Sequence, residues 1–480
     1  MKRIYNISGL MFVVVALFLH SCKDYLDTPA PNLSDVVYFS SDGAALNALA
    51  GAYDPIGWYE HMQFNEWAIG DVVSDDAEKG GENDADQADI HALLTFNANA
   101  ENGVIRVKWQ APYIGINRAN KLIDGITDND LISENTQKRV VAEAHFLRAL
   151  YHFQLVKVFA GVPVVTKLLS PSEFTLPRNT EAEVWAQIEK DLLAASTGLP
   201  NKSDMALNEL GRATKGAADA LLVKAYIFQE KWTDAESLAN TIVGSGEYDL
   251  EPNYEDVFSL NNDNGIESVF DIQYADFNTG EWGDDQEGTV TSIFQGSREN
   301  GGWGFNCPTQ NLYDEFELGD TRLTATIISD GDILWSGTPD EEQIWTDYPE
   351  NPTGYHNRKY QLPASEKGQM SEDPLNWRFI RFADVLLWQA EAAAHNGTDW
   401  QTPLNRVRNR AGLSNTTASN ALDAVYHERR VELAMEGHRY WDLVRTGRGN
   451  LMNGYTQNKR YFLIPQIEIN LNSNLEQNPY

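Results

Sequence analysis

The run 139–159, RVVAEAHFLRALYHFQLVKVF, constrains this chain more than any other stretch. Apolar or small residues recur at Val140, Ala144, Leu147, Tyr151, Leu155 and Val158, which is the 3.6-residue period of an α-helix. Phe146, Leu150 and Phe153 form a second stripe, so the pattern predicts a helix covered on two sides. Helices therefore make the frame.

The same logic recurs downstream. Residues 215–243, KGAADALLVKAYIFQEKWTDAESLANTIV, read as two helices around a break at 229–232. Ala225, Ala235 and Ala239 stand where close helix contact needs small side chains, as in a tetratricopeptide-type pair. The run 378–395 places Ile380, Ala383, Leu387, Ala390 and Ala394 on one helical face, and a further helix is expected over 421–436. Residues 250–376 differ, being rich in Asn, Gly, Asp, Trp and Tyr. One strand is expected there, at 266–273, within long structured loops.

The first residues, MKRIYNISGLMFVVVALFLHSC, join Lys2 and Arg3 to an apolar stretch at 10–19. A bilayer-spanning helix needs ~20 apolar residues, so this reads as a secretory signal. Its end, Leu19-His20-Ser21-Cys22, resembles a bacterial lipobox, in which the cysteine becomes the lipidated first residue. Cys22 and Cys307 are the chain's two cysteines, so a lipidated Cys22 leaves no disulfide partner. The expected organisation is a signal at 1–21, a lipidated tether at 22–40, and a folded region at 41–480 with halves at 41–249 and 250–480. A formal charge of −33 argues against nucleic acid as a partner and suits solubility at a surface.

One segment has the look of a catalytic centre: ERRVELAMEGHRYWDLVRTGR, residues 428–448. On a helix Glu428, Glu432 and Glu436 share a face, with Arg429 and Arg430 beside them. Inverting glycosidases use two carboxylates ~6.5–9.5 Å apart. The neighbours favour scaffold instead. Gly437 suits a helix C-cap, Tyr440, Trp441, Leu443 and Val444 read as packing, and Arg439 and Arg445 suit forked pairing with carboxylates. No catalytic residue is assigned. His438 is expected to be structural, because the chain has no HExxH or CxxC motif; no metal or cofactor is implied. The acidic run 84–89 lacks the glycine of an EF-hand loop and reads as a solvated loop.

Five stretches resemble the SusD/RagB family in the family's own order. They are AEAHFLRALYHFQLVKVFAGVPVV (142–165), FIRFADVLLWQAEA (379–392), LNRVRNRAGL (404–413), ERRVELAMEGHRYWDLVRTG (428–447) and IPQIEINLNSNLEQNP (464–479). Lys23 and Asp24 are similar to the acidic export signal of such lipoproteins. The resemblance implies a mostly α fold, a SusD-like right-handed superhelix with tetratricopeptide-like pairs, loop-rich segments and a few short strands. It also implies a non-enzymatic, glycan-binding lipoprotein of a Bacteroidetes-type bacterium, held by its lipid at the outer face of the outer membrane. Its partner would be a SusC-like TonB-dependent transporter, which it would cover as a lid.

Sugars call for exposed aromatic planes beside polar side chains. Two regions combine these: 58–89, with Trp58, Tyr59, Trp67, Asp75, Asp76, Asn83 and Asp84, and 276–306, with Trp282, Arg298, Asn300 and Trp303. NGGWGFN (300–306) is similar to the family's ligand-contacting NGxW-like loop, which makes Trp303 the first candidate. The candidate contacts are Trp303, Trp282, Asn83, Asp75, Asp76, Arg298, Asn300 and Trp67. Packing of Trp303 onto the helices is the alternative. The loop around 75–84 has no tryptophan pair, so the ligand is expected to differ from starch. Trp335 and Trp345 sit in an acidic loop, as ligand contacts or a transporter-facing patch. The rival functions are an all-α glycoside hydrolase or lyase, and a lid that binds no sugar or handles peptides.

Overall fold

A computed structural model describes residues 38–277, 287–346, 348–368 and 372–480. The expected signal, Cys22 and Trp282 lie outside them. Among the described residues the frame is built by α1 (Asp42–Gly57), α2 (Gly103–Ile126), α3 (Glu134–Phe159), α4 (Glu181–Gly198), α5 (Lys215–Phe228), α6 (Trp232–Ser245), α7 (Phe382–Asn396), α8 (Gln401–Arg410), α9 (Ala421–Glu432) and the short α10 (Arg439–Arg445). Their starts follow local chemistry. Ser133 caps α3, Thr214 caps α5, and Thr180 with Glu183 forms a reciprocal capping box on α4.

From α2 to α7 each of these helices packs on the next, giving a superhelix of helix pairs. The central helix α3 lies between α2 and α4, and its residues 146–159 are all buried. Both predicted stripes are therefore covered, each large apolar side chain contributing about 1.5–3 kcal/mol. The predicted pair over 215–243 forms as α5 and α6. Its break falls at Glu230, which takes φ +57°.

The strands form four two-stranded antiparallel pairs: β1 (Ala77–Gly80) with β3 (Phe305–Pro308), β2 (Ser268–Ile272) with β8 (Trp377–Arg381), β4 (Ile327–Ser329) with β7 (Tyr355–Asn357), and β5 (Ile333–Leu334) with β6 (Glu342–Gln343). β2 is the strand expected at 266–273. Three expectations need correction. Residues 378–381, read as the start of a helix, belong to β8 and pair with β2 instead, and Arg381 and Asp384 cap α7 behind them. Strands β3 to β7, read as loop, have two to four residues each, too few to show a period. Finally, α9 stops at Glu432, because Met435 at φ +63° and Gly437 at φ +78° turn the chain toward α10. Gly437 thus serves the turn, not a C-cap.

Candidate functional site

The pairing of β1 with β3 sets Ala77 opposite Pro308 and Gly80 opposite Phe305. That register draws the acidic loop after β1 against the turn before β3, where Gly81 N–H donates to the Gly304 carbonyl at 2.9 Å. Lys79 holds the loop closed. Its buried ammonium donates to the carbonyls of Gly80, Asn83 and Asp86 at 2.9, 3.0 and 2.6 Å. Asn83 is exposed at the tip, with Oδ1 accepting from Ala85 N–H at 2.9 Å.

The facing turn, SRENGGWG (297–304), is stitched to the short helix Thr291–Gln295. Trp303 N–H donates to Ile293 O at 2.7 Å and Gly304 N–H to Gly296 O at 2.9 Å. Glycine is required here. Gly301 and Gly304 take φ +89° and +70°, and a side chain on Gly302 would run into the Gly296 carbonyl. Asn300 then pins the β5–β6 hairpin beside the turn. Its Nδ2 donates to Glu342 Oε1 and Gln343 O, both at 3.0 Å, while Oδ1 accepts from Trp345 N–H at 3.1 Å. Arg298 donates to Trp303 O at 3.0 Å, pairs with Glu82 at 2.8 Å, and lies over the Tyr348 ring.

Between turn and hairpin opens a cleft of about 270 Å³, lined by Ser292, Asn300, Trp335, Glu342, Gln361 and Asp373 among others. Past Trp335 lies a second hollow of about 230 Å³ that includes Asp256, Arg358 and again Gln361. Trp335 is a half-buried ridge between them, at φ +49°, resting on Ile328, Leu334 and Ile344. Trp345 is 50% exposed nearby. Asp373 accepts from Ser292 and from Gly368 N–H, and burial raises its carboxyl above the usual range. Loop 80–87, turn 297–304 and the hairpin thus present aromatic, amide and carboxyl groups on one face.

The sequence candidates divide. Asn83, Arg298, Asn300 and Trp303 come together there. Trp303 is half-buried and meets Phe294 edge-on, with ring centres 4.5 Å apart. Trp67 does not join them. It is 1% exposed between Phe64, Phe294 and Phe305, because residues 59–72, read as loop, wind into wide helical turns in the core. Asp75 and Asp76 are committed elsewhere. Asp75 accepts from Arg439 at 2.7 and 2.8 Å, and Asp76 from Arg430 Nε at 2.8 Å, tying the segment before β1 to α9 and α10. Trp58 lies apart, under the Arg118 guanidinium. Gln361 and Asp373 were missed, since nothing in the local sequence signals that a distant turn will face them. A larger cleft of about 390 Å³ lies between α1 and β2. Its Tyr53 and Arg212 are already engaged by Glu143, at 2.6 and 3.1 Å.

Comparison with known proteins gives this face its context. The SusD family model matches residues 266–463, and a second, described as starch-binding associating with outer membrane, matches 24–227. A laminarin-binding SusD-like protein of known structure superposes with a TM-score of 0.82, at 31% identity, covering 92% of this chain and 100% of that one. The chain belongs to the SusD family. Surface glycan-binding protein A from Bacteroides thetaiotaomicron, solved with laminarihexaose, superposes at 0.80 with 26% identity, over 92% of this chain and 100% of that one. A SusD-like protein from Bacteroides ovatus is 29% identical over 483 residues, covering 92% of this chain and 83% of the relative.

In this SusD-family chain the glutamates of 428–448 are ion-paired within the core. Glu428, Glu432 and Glu436 are buried. Arg322 reaches Glu428 at 2.6 Å and Glu432 at 3.0 Å, Arg381 reaches Glu432 at 3.0 Å and Glu436 at 2.8 Å, and Lys359 reaches Glu436 at 2.7 Å. Arg410, Arg381 and Arg322 hold the Glu432 carboxyl far below the usual range against the opposing effect of burial. Burial pushes Lys359 down to about 8. These ion pairs lie in the core and tie separate elements together. His438 is buried and neutral, its pKa lowered by burial and by Lys224 and Arg429.

Proposed function

We propose that this SusD-family chain is a non-enzymatic surface lipoprotein, anchored through Cys22, that binds an oligosaccharide and passes it to a SusC-like TonB-dependent transporter. The ligand lies along the cleft between turn 297–304 and the β5–β6 hairpin, against Trp345, Trp335 and Trp303, within reach of Asn300, Arg298 and Asn83. One observation carries this reading: the half-exposed indole of Trp345, whose backbone is bonded to Asn300 and Ser297, adjoins a cleft of about 270 Å³ lined by both apolar and hydrogen-bonding side chains, the combination that sugars require. The glycan-binding structural relatives support it. The cleft carboxyls Glu342 and Asp373 are engaged by Asn300, Ser292 and Gly368, which favours binding over hydrolysis. Among the described residues no helix is long and apolar enough to cross a membrane, so passage inward rests on the transporter and attachment on the lipid, at the outer face of the outer membrane.

Native affinity electrophoresis through gels carrying a glycan panel, laminarin included, tests the reading. Retardation by one glycan that is lost in Trp345→Ala supports both ligand class and site. Retardation that survives Trp345→Ala, Trp335→Ala and Trp303→Ala removes the site. No retardation by any glycan, together with co-purification of a barrel, favours the lid that binds no sugar. Release of reducing ends from a bound glycan overturns the non-enzymatic assignment.

A further inference from the structure

Where α3, α5, α7, α9 and α10 meet beside β8 lies a small cavity of about 20 Å³. Hosting a single water takes roughly 10–15 Å³ by this measure, so the space suits one monatomic guest and excludes sulfate or phosphate. Its walls are ionic. Lys157, Lys224, Arg429 and Arg445 face Glu66, Glu436 and Asp442, a surplus of one cation in the lining.

The surplus can be located. Lys157 pairs with Glu66 at 3.0 Å, and Arg445 is forked onto Glu391 at 2.5 and 2.8 Å. Glu436 is taken by Arg381 and Lys359, and Asp442 by Arg445 and by Nε of Arg429. Lys224 has no carboxylate within ion-pairing distance among the described residues. Its ammonium faces the rings of Phe379, Phe153 and Trp388, 4.9 to 5.8 Å from their centres. Two further donors on the lining lack an acceptor, Nη1 of Arg429 and Nε1 of Trp441. Lys224, Arg429 and Trp441 are 9%, 3% and 7% exposed. Buried donors of this kind are rarely left without acceptors.

We propose that this cavity is a chloride site, with the anion held by Lys224 Nζ, Arg429 Nη1 and Trp441 Nε1. Asp384 supports the lysine charge from beyond ion-pairing distance, and it is the donors that lack partners. A water offers two lone pairs to three donors, whereas a chloride accepts from all three. Burial pushes the Lys224 ammonium below its ordinary range, and a bound anion opposes that push. The site also explains a structural need. Lys224 belongs to the helical half matched at 24–227, whereas Arg429 and Trp441 belong to the half matched at 266–463, so the anion cross-links the two.

Crystals of the protein soaked in sodium bromide test this directly. An anomalous peak within hydrogen-bonding distance of the three nitrogens is expected, and its absence overturns the site. In solution, replacing sodium isethionate by sodium chloride at equal ionic strength is expected to raise Tm by about 2 °C or more. Trp441→Phe, which removes one donor and keeps the ring's bulk, is expected to abolish most of that rise and weaken the bromide peak. Lys224→Met is expected to abolish both. Equal Tm in the two salts, or a bromide peak unchanged in Trp441→Phe, refutes the proposal.

Discussion

Arg381 and Glu436 meet as a fork in the core, Nε on Oε2 at 2.8 Å and Nη2 on Oε1 at 2.9 Å, with neither residue more than 2% exposed. The pair joins the strand leading into α7 to the turn after α9. Removing one partner strands a buried charge, which costs about 3–5 kcal/mol. Arg381→Met is therefore expected to lower the unfolding free energy by that amount in urea titration. Adding Glu436→Met to it is expected to recover none of the loss, because it leaves the buried Lys359 without the carboxylate it holds at 2.7 Å.

Trp345 and Trp67 are expected to separate by assay. Trp345→Ala should weaken binding of the cognate glycan roughly tenfold and leave Tm unchanged, since its ring is half in solvent. Trp67→Ala should cost about 3–5 kcal/mol of stability through the cavity it opens among Phe64, Phe294 and Phe305. Paired thermal melts and affinity gels distinguish these outcomes.

Asn300 acts by positioning. Its side chain makes three hydrogen bonds to residues 342–345, each contributing about 0.5–1.5 kcal/mol. Asn300→Ala is expected to speed amide hydrogen exchange across the β5–β6 hairpin, with the protection of α3 unchanged. Glycan affinity should fall with it. Unaltered exchange in the hairpin would show that the turn does not hold it.

Asp71 sets a pH dependence. It is fully buried and accepts from Gly437 N–H at 2.8 Å, and burial raises its carboxyl to about 8. A folded pKa above the unfolded one means stability is fully present below about 4 and lost as pH rises toward 8. The slope is on the order of 1 kcal/mol per pH unit. Asp71→Asn keeps an acceptor for Gly437 and carries no charge. Its stability relative to the parent should therefore grow from pH 5 to pH 8 and level off above, as read from urea midpoints.

Much of the helical frame was legible because its signals are local. The double stripe of 139–159 and the break at 229–232 rest on neighbours along the chain, and each forms where expected. The strand at 266–273 was equally plain. The hairpins β4–β7 and β5–β6 were not, because strands of two or three residues carry no period and exist through their partners. Residues 378–381 misled for a related reason, since a short apolar run suits helix or strand until β2 is seen beside it.

The candidate site shows the same division at the level of single side chains. Sequence by itself determined which residue types crowd the loops, which helices pair, and that Glu428 and Glu432 share one face; Glu436, expected on the same face, lies beyond the end of α9. It did not determine which aromatic rings face water. Trp67, Trp303 and Trp345 are chemically alike, and their burial depends on what distant segments pack against them: Phe294 and Phe305 for the first, Phe294 for the second, and open solvent for half of the third. Nor did it show that Asp75 and Asp76 would be taken by Arg439 and Arg430, more than 350 residues away. Helix period is a property of neighbours along the chain, whereas exposure and ion pairing belong to contacts that exist only once the chain has closed on itself.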